Sequence, residues 1–217
     1  MGTVEVRELS VRTRPGALRR MDLAIGSGQT VLVMGDASGS TLLRTVAGLV
    51  APALGSVRVD GEDLTGRAAA DVAAYGVRIV TAGWRAFGGL TVRENVLVGA
   101  RGHADVADDV LALVPLAPGA LAGALDEAGE RQLAVAVALA RRPRVVLVDG
   151  LRGGSPAGLH AAGLRGVTSV VAERASFAGR TVVVPDGVDP AAYDRVLAVR
   201  NGVLREWQRP APVADAY

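Results

Sequence analysis

The sequence contains no cysteine, which excludes disulfides and thiolate metal sites and fits a reducing compartment. It contains no lysine either, so all 24 basic residues are arginine. A guanidinium pairs with carboxylates and phosphates, but it is a broad fork. It cannot replace a compact ammonium threaded between two phosphates. Any mechanism that needs lysine is therefore excluded. A chain-wide drift toward arginine explains the residue type, though it would not also shorten a loop. No apolar run of about 18 residues escapes a charge or proline. The longest, QLAVAVALARRPRVVLV, is broken by Arg141, Arg142, Pro143 and Arg144, so the chain is not expected to span a membrane by itself. MGTVEVREL reads as a strand and lacks the apolar stretch of a secretory signal. The net charge is +2, with no basic run dense enough for nucleic acid. The two histidines, His103 and His160, fall on segments that read as solvated surface.

What is present is an ordered alternation. Residues 3 to 9, 19 to 24 and 55 to 60 read as strands of an antiparallel layer. Thr30 to Met34, Val77 to Val80, Arg144 to Val148 and Arg180 to Val184 are short β-branched runs suited to parallel strands buried on both faces. Between Thr91 and Arg142 the pattern turns helical, in TVRENVLVG, DVADDVLALV and ERQLAVAVALARR. RVLAVRNGVLREW reads as a hairpin turning at Asn201-Gly202, a pair suited to a type I′ turn. The expected architecture is one α/β domain over residues 1–208, with a helical insert at about 90–142 and a fraying tail at 209–217.

The stretch VLVMGDASGSTLLRTVAGL carries the chemical question. An apolar strand runs through a glycine turn into a helix expected to begin near Ser40, with Leu42, Leu43, Val46 and Leu49 at core-facing spacing. A working phosphate loop reads G-x-x-x-x-G-K-[ST]; its backbone N–H groups form an anion nest and its lysine reaches the β- and γ-phosphates. Here the run is Gly35-Asp36-Ala37-Ser38-Gly39-Ser40-Thr41. With Ser40 as the Mg²⁺-binding hydroxyl, two residues and the lysine are missing. With Thr41 in that role, one residue is missing and Ser40 stands where lysine should. Asp36 adds a carboxylate. At about 5 Å from a phosphate charge it costs roughly 3 kcal/mol at an effective dielectric near 20. Loss of the lysine contact costs about 1.5–3 kcal/mol more. Together these weaken binding by roughly three to four orders of magnitude. Free N–H groups at the helix start leave room for a weak residual anion site.

Four landmarks in order, GSTLLRTVAGL with GSVRVDGEDLTG, then GLTVRENVLVGA, QLAVAVALARRPRVVLVD and DRVLAVRNGV, give the chain its family likeness. From about residue 3 to 207 it resembles the ATP-binding (nucleotide-binding) subunit of an ABC transporter. The segment AYGVRIVTAGWRAFGGLTVREN is most similar to the subunits of branched-chain amino-acid importers. The resemblance implies a P-loop NTPase-like core: a mixed β-sheet flanked by helices, an inserted helical subdomain and an antiparallel β layer.

Position by position, the resemblance places the residual nucleotide site at Gly35, Gly39, Ser40 and Thr41, with Asp149 and Ser40 at the Mg²⁺ positions. The catalytic glutamate position holds Gly150, which offers no base to orient water. The glutamine that senses the γ-phosphate falls on Ala82. The switch histidine falls near Pro185 or Asp186, and the adenine-stacking aromatic near Thr13. The signature motif aligns on Leu125 and on Asp126, Glu127, Ala128 and Gly129, where Asp126 or Glu127 is expected to cap the helix that follows. A one-residue slip suggested by Glu130-Arg131-Gln132 spares Gly129 but still loses the serine. Trp84 and Phe87, in a chain with very few aromatics, fall where the family takes a coupling helix from the membrane subunit. Packing against the insert explains them equally.

Three readings follow from the resemblance. One is a pseudo-ATPase subunit on the inner face of the cell membrane, bound to a transmembrane permease and to a second ABC ATPase subunit as a hetero- or homodimer. The second is a genuine transport subunit that binds ATP and Mg²⁺ weakly. The third is a scaffold or binding protein outside transport.

Overall fold

The alternating apolar residues of Val4–Val11 and Leu18–Ile25 point to one side, and the two segments pair as antiparallel strands β1 and β2. Leu54–Val59 (β4) pairs antiparallel with the other edge of β1, and the short β5 (Glu62–Asp63) extends β4. This gives a four-stranded layer in the order β2-β1-β4-β5. The computed structural model describes residues 2–35, 37–81, 83–149, 181–185 and 194–206.

The second sheet has six strands in the order β10-β9-β3-β8-β7-β6. Its members are β3 (Thr30–Gly35), β6 (Val77–Val80), β7 (Val145–Val148), β8 (Thr181–Pro185), β9 (Arg195–Arg200) and β10 (Val203–Glu206). Neighbours from β9 to β6 are parallel, and only β10 runs antiparallel, beside β9. Asn201 and Gly202 form the turn between β9 and β10 with φ of +52° and +79°, as a type I′ turn requires. A Cβ on Gly202 would lie 2.4 Å from the Ala17 carbonyl oxygen, so this turn sits directly on the β1–β2 loop.

The continuous apolar runs of β3 and β7 feed two cores. Val31, Val33, Val145 and Leu147 face the antiparallel layer and α1 (Ala37–Val46). Leu32, Val146 and Val148 face the helical insert. That insert consists of α3 (Val92–Gly99), α4 (Ala104–Leu111), a 3-10 turn at Ala122–Ala124 and α5 (Glu127–Leu139). Thr91 starts α3 with a capping box: its hydroxyl accepts from the Glu94 N–H while the Glu94 carboxylate accepts from the Thr91 N–H.

Strand and hairpin positions agree with the sequence pattern to within two residues. The helix α2 (Ala69–Tyr75) lay unrecognised in the alanine-rich RAAADVAAY. Two expectations need correction. Helix α1 begins at Ala37, not near Ser40, so Ser38 and Gly39 are already helical. Leu49 is not a core residue of that helix: α1 ends at Val46, and Leu49 is 50% exposed. Leu42, Leu43 and Val46 are buried.

Candidate functional site

Strand β3 delivers the chain to Gly35, and α1 begins two positions later at Ala37. A single residue therefore separates the end of β3 from the start of α1. Gly39 lies inside the helix, where an added Cβ would stand 3.5 Å from Val33 Cγ1, so its small size fits α1 against β3. The hydroxyls beside it are engaged locally. Thr41 Oγ1 donates to the Ala37 carbonyl at 3.1 Å, and Ser38 Oγ donates to the Ala17 carbonyl at 3.2 Å. Ser40 is half-buried on the same helix.

The Ser38–Ala17 bond joins α1 to the β1–β2 loop, which packs straight onto the first turn of the helix. Gly16, at φ +100°, approaches so closely that a Cβ there would meet Thr41 Oγ1 at 2.5 Å and the Ala37 carbonyl oxygen at 2.6 Å. Only glycine fits this position, on conformation and on space. Thr13, where the resemblance would place the adenine-stacking aromatic, lies in the same loop, and its hydroxyl is buried with no hydrogen-bond partner among the described residues.

Asp149 follows β7 and is tied to β6 by its backbone N–H, which donates to the Val80 carbonyl at 2.7 Å. Its carboxylate side chain is 0% exposed, and Oδ2 accepts from Arg44 Nε at 2.7 Å. Arg44 stands on the last turn of α1 and is half exposed. Among the described residues, Asp149 Oδ1 is buried and has no hydrogen-bond partner. One oxygen of the carboxylate that the resemblance places at the metal is thus paired with the chain's own guanidinium, while the other is buried and unpartnered among the described residues. Among the described residues no group of three or more His, Cys, Asp or Glu is arranged to hold a metal ion.

At the signature positions, Asp126 rather than Glu127 is the N-cap of α5: Asp126 Oδ1 accepts from the Gly129 N–H at 2.8 Å. Glu127 pairs with Arg131 one turn on, and Ala128 is in the first helical turn. Glu130 Oε1 accepts from the Ala86 N–H at 3.4 Å, linking α5 to the segment that carries the aromatic pair. Those two aromatics part company. Trp84 is partly buried against the core of the insert, whereas Phe87 is 61% exposed. The backbone between them and α3 is set by Asn95, a buried amide in TVRENVLVG. Its Oδ1 accepts from the Phe87 N–H at 2.9 Å, and its Nδ2 donates to the Phe87 and Thr91 carbonyls at 3.1 and 2.9 Å. His103 is exposed and offers no side-chain cap to α4. Ala82, Gly150, Asp36, Asp186 and His160 lie outside the described residues, and Pro185 closes β8.

Sequence reasoning overlooked three of these residues. Arg44 was read only as part of a helical pattern, although it is the one charge on an otherwise apolar and hydroxyl-bearing helix. Asn95 had a signal too, since it is the lone amide one helical turn beyond a capping threonine. Gly16 had none, because its packing partners are distant in sequence.

The architecture is that of an ATP-binding cassette. A solved cassette in its ADP conformation superposes with a TM-score of 0.78 at 19% identity, covering 94% of this chain and 90% of that one. A nucleotide-free cassette from an ABC transporter superposes at 0.75 with 18% identity, covering 95% and 91%. The family model described as ABC transporter matches residues 18–150, more than half of the chain, and the protein belongs to that family. The high-affinity branched-chain amino acid transport ATP-binding protein BraG of Pseudomonas aeruginosa is 31% identical to it, over 61% of this chain and 61% of that protein. The sulfate/thiosulfate import ATP-binding protein CysA of Caulobacter vibrioides is 31% identical over 99% of this chain and 67% of its own length. The Fe(3+) ions import ATP-binding protein FbpC of Mesorhizobium japonicum is 30% identical over 86% and 59%. The chain thus spans about three fifths to two thirds of these relatives. Among the described residues no helix is long and apolar enough to cross a membrane.

Proposed function

We propose that this protein is a pseudo-ATPase subunit: a cassette that docks on a membrane permease, an intact ATPase partner or both, on the cytoplasmic face of the membrane, without turning over ATP itself. The observation that carries the reading is the direct seat of Gly16 on Ala37 and Thr41, at the start of an α1 that follows β3 after one residue. A triphosphate and the β1–β2 loop would compete for the same helix turn. The Arg44–Asp149 pair supports the reading, because a carboxylate neutralised from within has less need of a metal. So does Asp126, whose carboxylate occupies the positive end of α5 where a cassette partner would place an anion. The residues present do not fit Mg·ATP.

Docking is assigned to the surface beside Phe87, which leaves an exposed ring next to the half-buried Trp84 and a backbone pinned by Asn95. An exposed aromatic on a fixed backbone suits an interface anchor. Equilibrium titration of the purified chain with Mg·ATP up to millimolar concentration, together with a phosphate-release assay, tests the central claim. No saturation and no release are expected; measurable turnover overturns it.

A second reading, weak but genuine ATP and Mg²⁺ binding, is favoured by one feature: the buried, unpartnered Oδ1 of Asp149. Saturable protection by Mg·ATP against heating would support that reading in place of the first.

A further inference from the structure

Strands β6 and β7 present Asp149 at their C-terminal ends. At their other ends, where α3 and α5 also finish, lies a groove of about 360 Å³ lined by Arg78, Arg101, Arg141 and Arg142, with His103 and Asp105. Four arginines from three separate segments converge there, which no basic run in the sequence announces. Only Arg142 has an acidic partner, Asp105, at a long 3.9 Å. Among the described residues, Arg78, Arg101 and Arg141 make no ion pair.

Arg78 carries the cost of this arrangement most plainly. Among the described residues, its Nε is buried with no hydrogen-bond partner. Burial pushes its pKa down, and the charges of Arg141 and Arg101 push it further the same way. Arg101 and Arg142 hold left-handed backbone, at φ +55° and +49°, where glycine or asparagine is the usual helix-ending residue. Helix C-termini attract cations, which is the ordinary reason for arginines at helix ends. The C-terminal ends of α2, α3 and α5 and the N-terminal end of α4 meet there, and at about half a charge each they sum to about one negative charge. With Asp105 they offset two of the four positive charges, and an excess of about two remains at neutral pH.

We propose that this groove binds a phosphoryl-bearing polyanion. A single carboxylate would leave the excess half balanced, whereas a phosphomonoester or diphosphate carries about two negative charges or more. Guanidinium forks match phosphate oxygens in bidentate geometry. The volume suits a small phosphorylated molecule or a phospholipid headgroup. The site lies at the opposite end of β7 from Asp149, and the proposal does not depend on whether ATP is bound.

Two arms test it on the full chain. In the first, inorganic pyrophosphate is titrated calorimetrically into wild type, Arg101→Gln and the double variant Arg78→Gln/Arg141→Gln. Each lost guanidinium contact should weaken binding about tenfold, so the double variant loses about a hundredfold. Arg101→Gln changes an exposed side chain and keeps the test valid if the double variant does not fold. In the second arm, the proteins are sedimented with phosphatidylcholine vesicles with or without phosphatidic acid. Arginine-dependent pyrophosphate binding without sedimentation supports a free phosphorylated ligand. Arginine-dependent sedimentation with phosphatidic acid alone supports a lipid headgroup. Binding that folded variants retain, or wild type that binds neither probe at millimolar concentration, overturns the proposal.

Discussion

Replacing Arg44 with methionine isolates the ion pair at the end of β7. The substitution keeps an apolar stem and removes the guanidinium, leaving the Asp149 carboxylate fully buried with Oδ1 already unpartnered. Breaking a fully buried pair by removing one partner costs about 3–5 kcal/mol. Arg44 is half exposed, so water can reach the vacated side, and exposure lowers the value of any ion pair. The smaller figure for a charge-assisted hydrogen bond, about 2 kcal/mol, is the better expectation. For a chain of this size that corresponds to a fall in Tm of about 4–8 °C. Urea unfolding of wild type, Arg44→Met, Asp149→Asn and the double variant forms a cycle. The coupling energy should be about 2 kcal/mol, with Asp149→Asn recovering much of the loss in the Arg44→Met background. If Arg44→Met changes stability by less than about 0.5 kcal/mol, or the two substitutions simply add, the pair does not compensate a buried charge and the reasoning fails.

Two further outcomes can be checked by melting. Gly16→Ala should lower stability by about 1–3 kcal/mol, since the new methyl group meets Ala37 and Thr41 at under 3 Å on a left-handed backbone; an unchanged Tm would mean the loop does not seat on α1. For Asp60, burial works against its charge, but the Thr3 N–H, Arg144 and the Thr3 hydroxyl outweigh burial and hold its pKa below the usual carboxylate range. A lowered folded-state pKa gives stability that is present above the unfolded value and lost as pH falls through the folded one. Asp60→Asn should therefore flatten the loss of stability below about pH 4, and an unaltered acid limb would count against the assignment.

The fold was legible where one physical signal dominates. Continuous β-branched runs on β3 and β7 announce strands buried on both faces, and their cores confirm it: Val31 and Val33 turn one way, Leu32 the other, whereas β6, at the edge of the sheet, keeps Arg78 and Ile79 only partly buried. The Asn-Gly pair announced the β9–β10 turn for a local reason, the ease of positive φ. The start of α1 was not legible, because glycine and serine suit a phosphate loop and a helix turn alike. Burial decided in favour of helix: Ser38 and Gly39 pack against the sheet and the β1–β2 loop. Helix α2 was hidden by alanine, which makes helix without making a pattern. Gly16, Arg44 and the arginine groove were illegible for a different reason. Each depends on contacts between segments far apart in the sequence.

Those contacts bear on why the scaffold holds together. Three positions that the resemblance assigns to nucleotide, metal or signature contacts are engaged by the chain's own groups. The Ala17 carbonyl accepts from Ser38 at the first turn of α1, Arg44 supplies the cation to Asp149, and Asp126 caps α5. Ligand binding stabilises a fold only through what the ligand adds over the unliganded state. Where side chains already supply a cap and a counter-charge, that addition is small and the folded state stands without nucleotide. On the pseudo-ATPase reading proposed above, the same substitution of side chain for ligand leaves intact the surfaces a docking subunit needs. The arginine groove is the contrary case, an end of the sheet where charge is left unsatisfied by the protein itself, and it is there that a ligand has most to contribute.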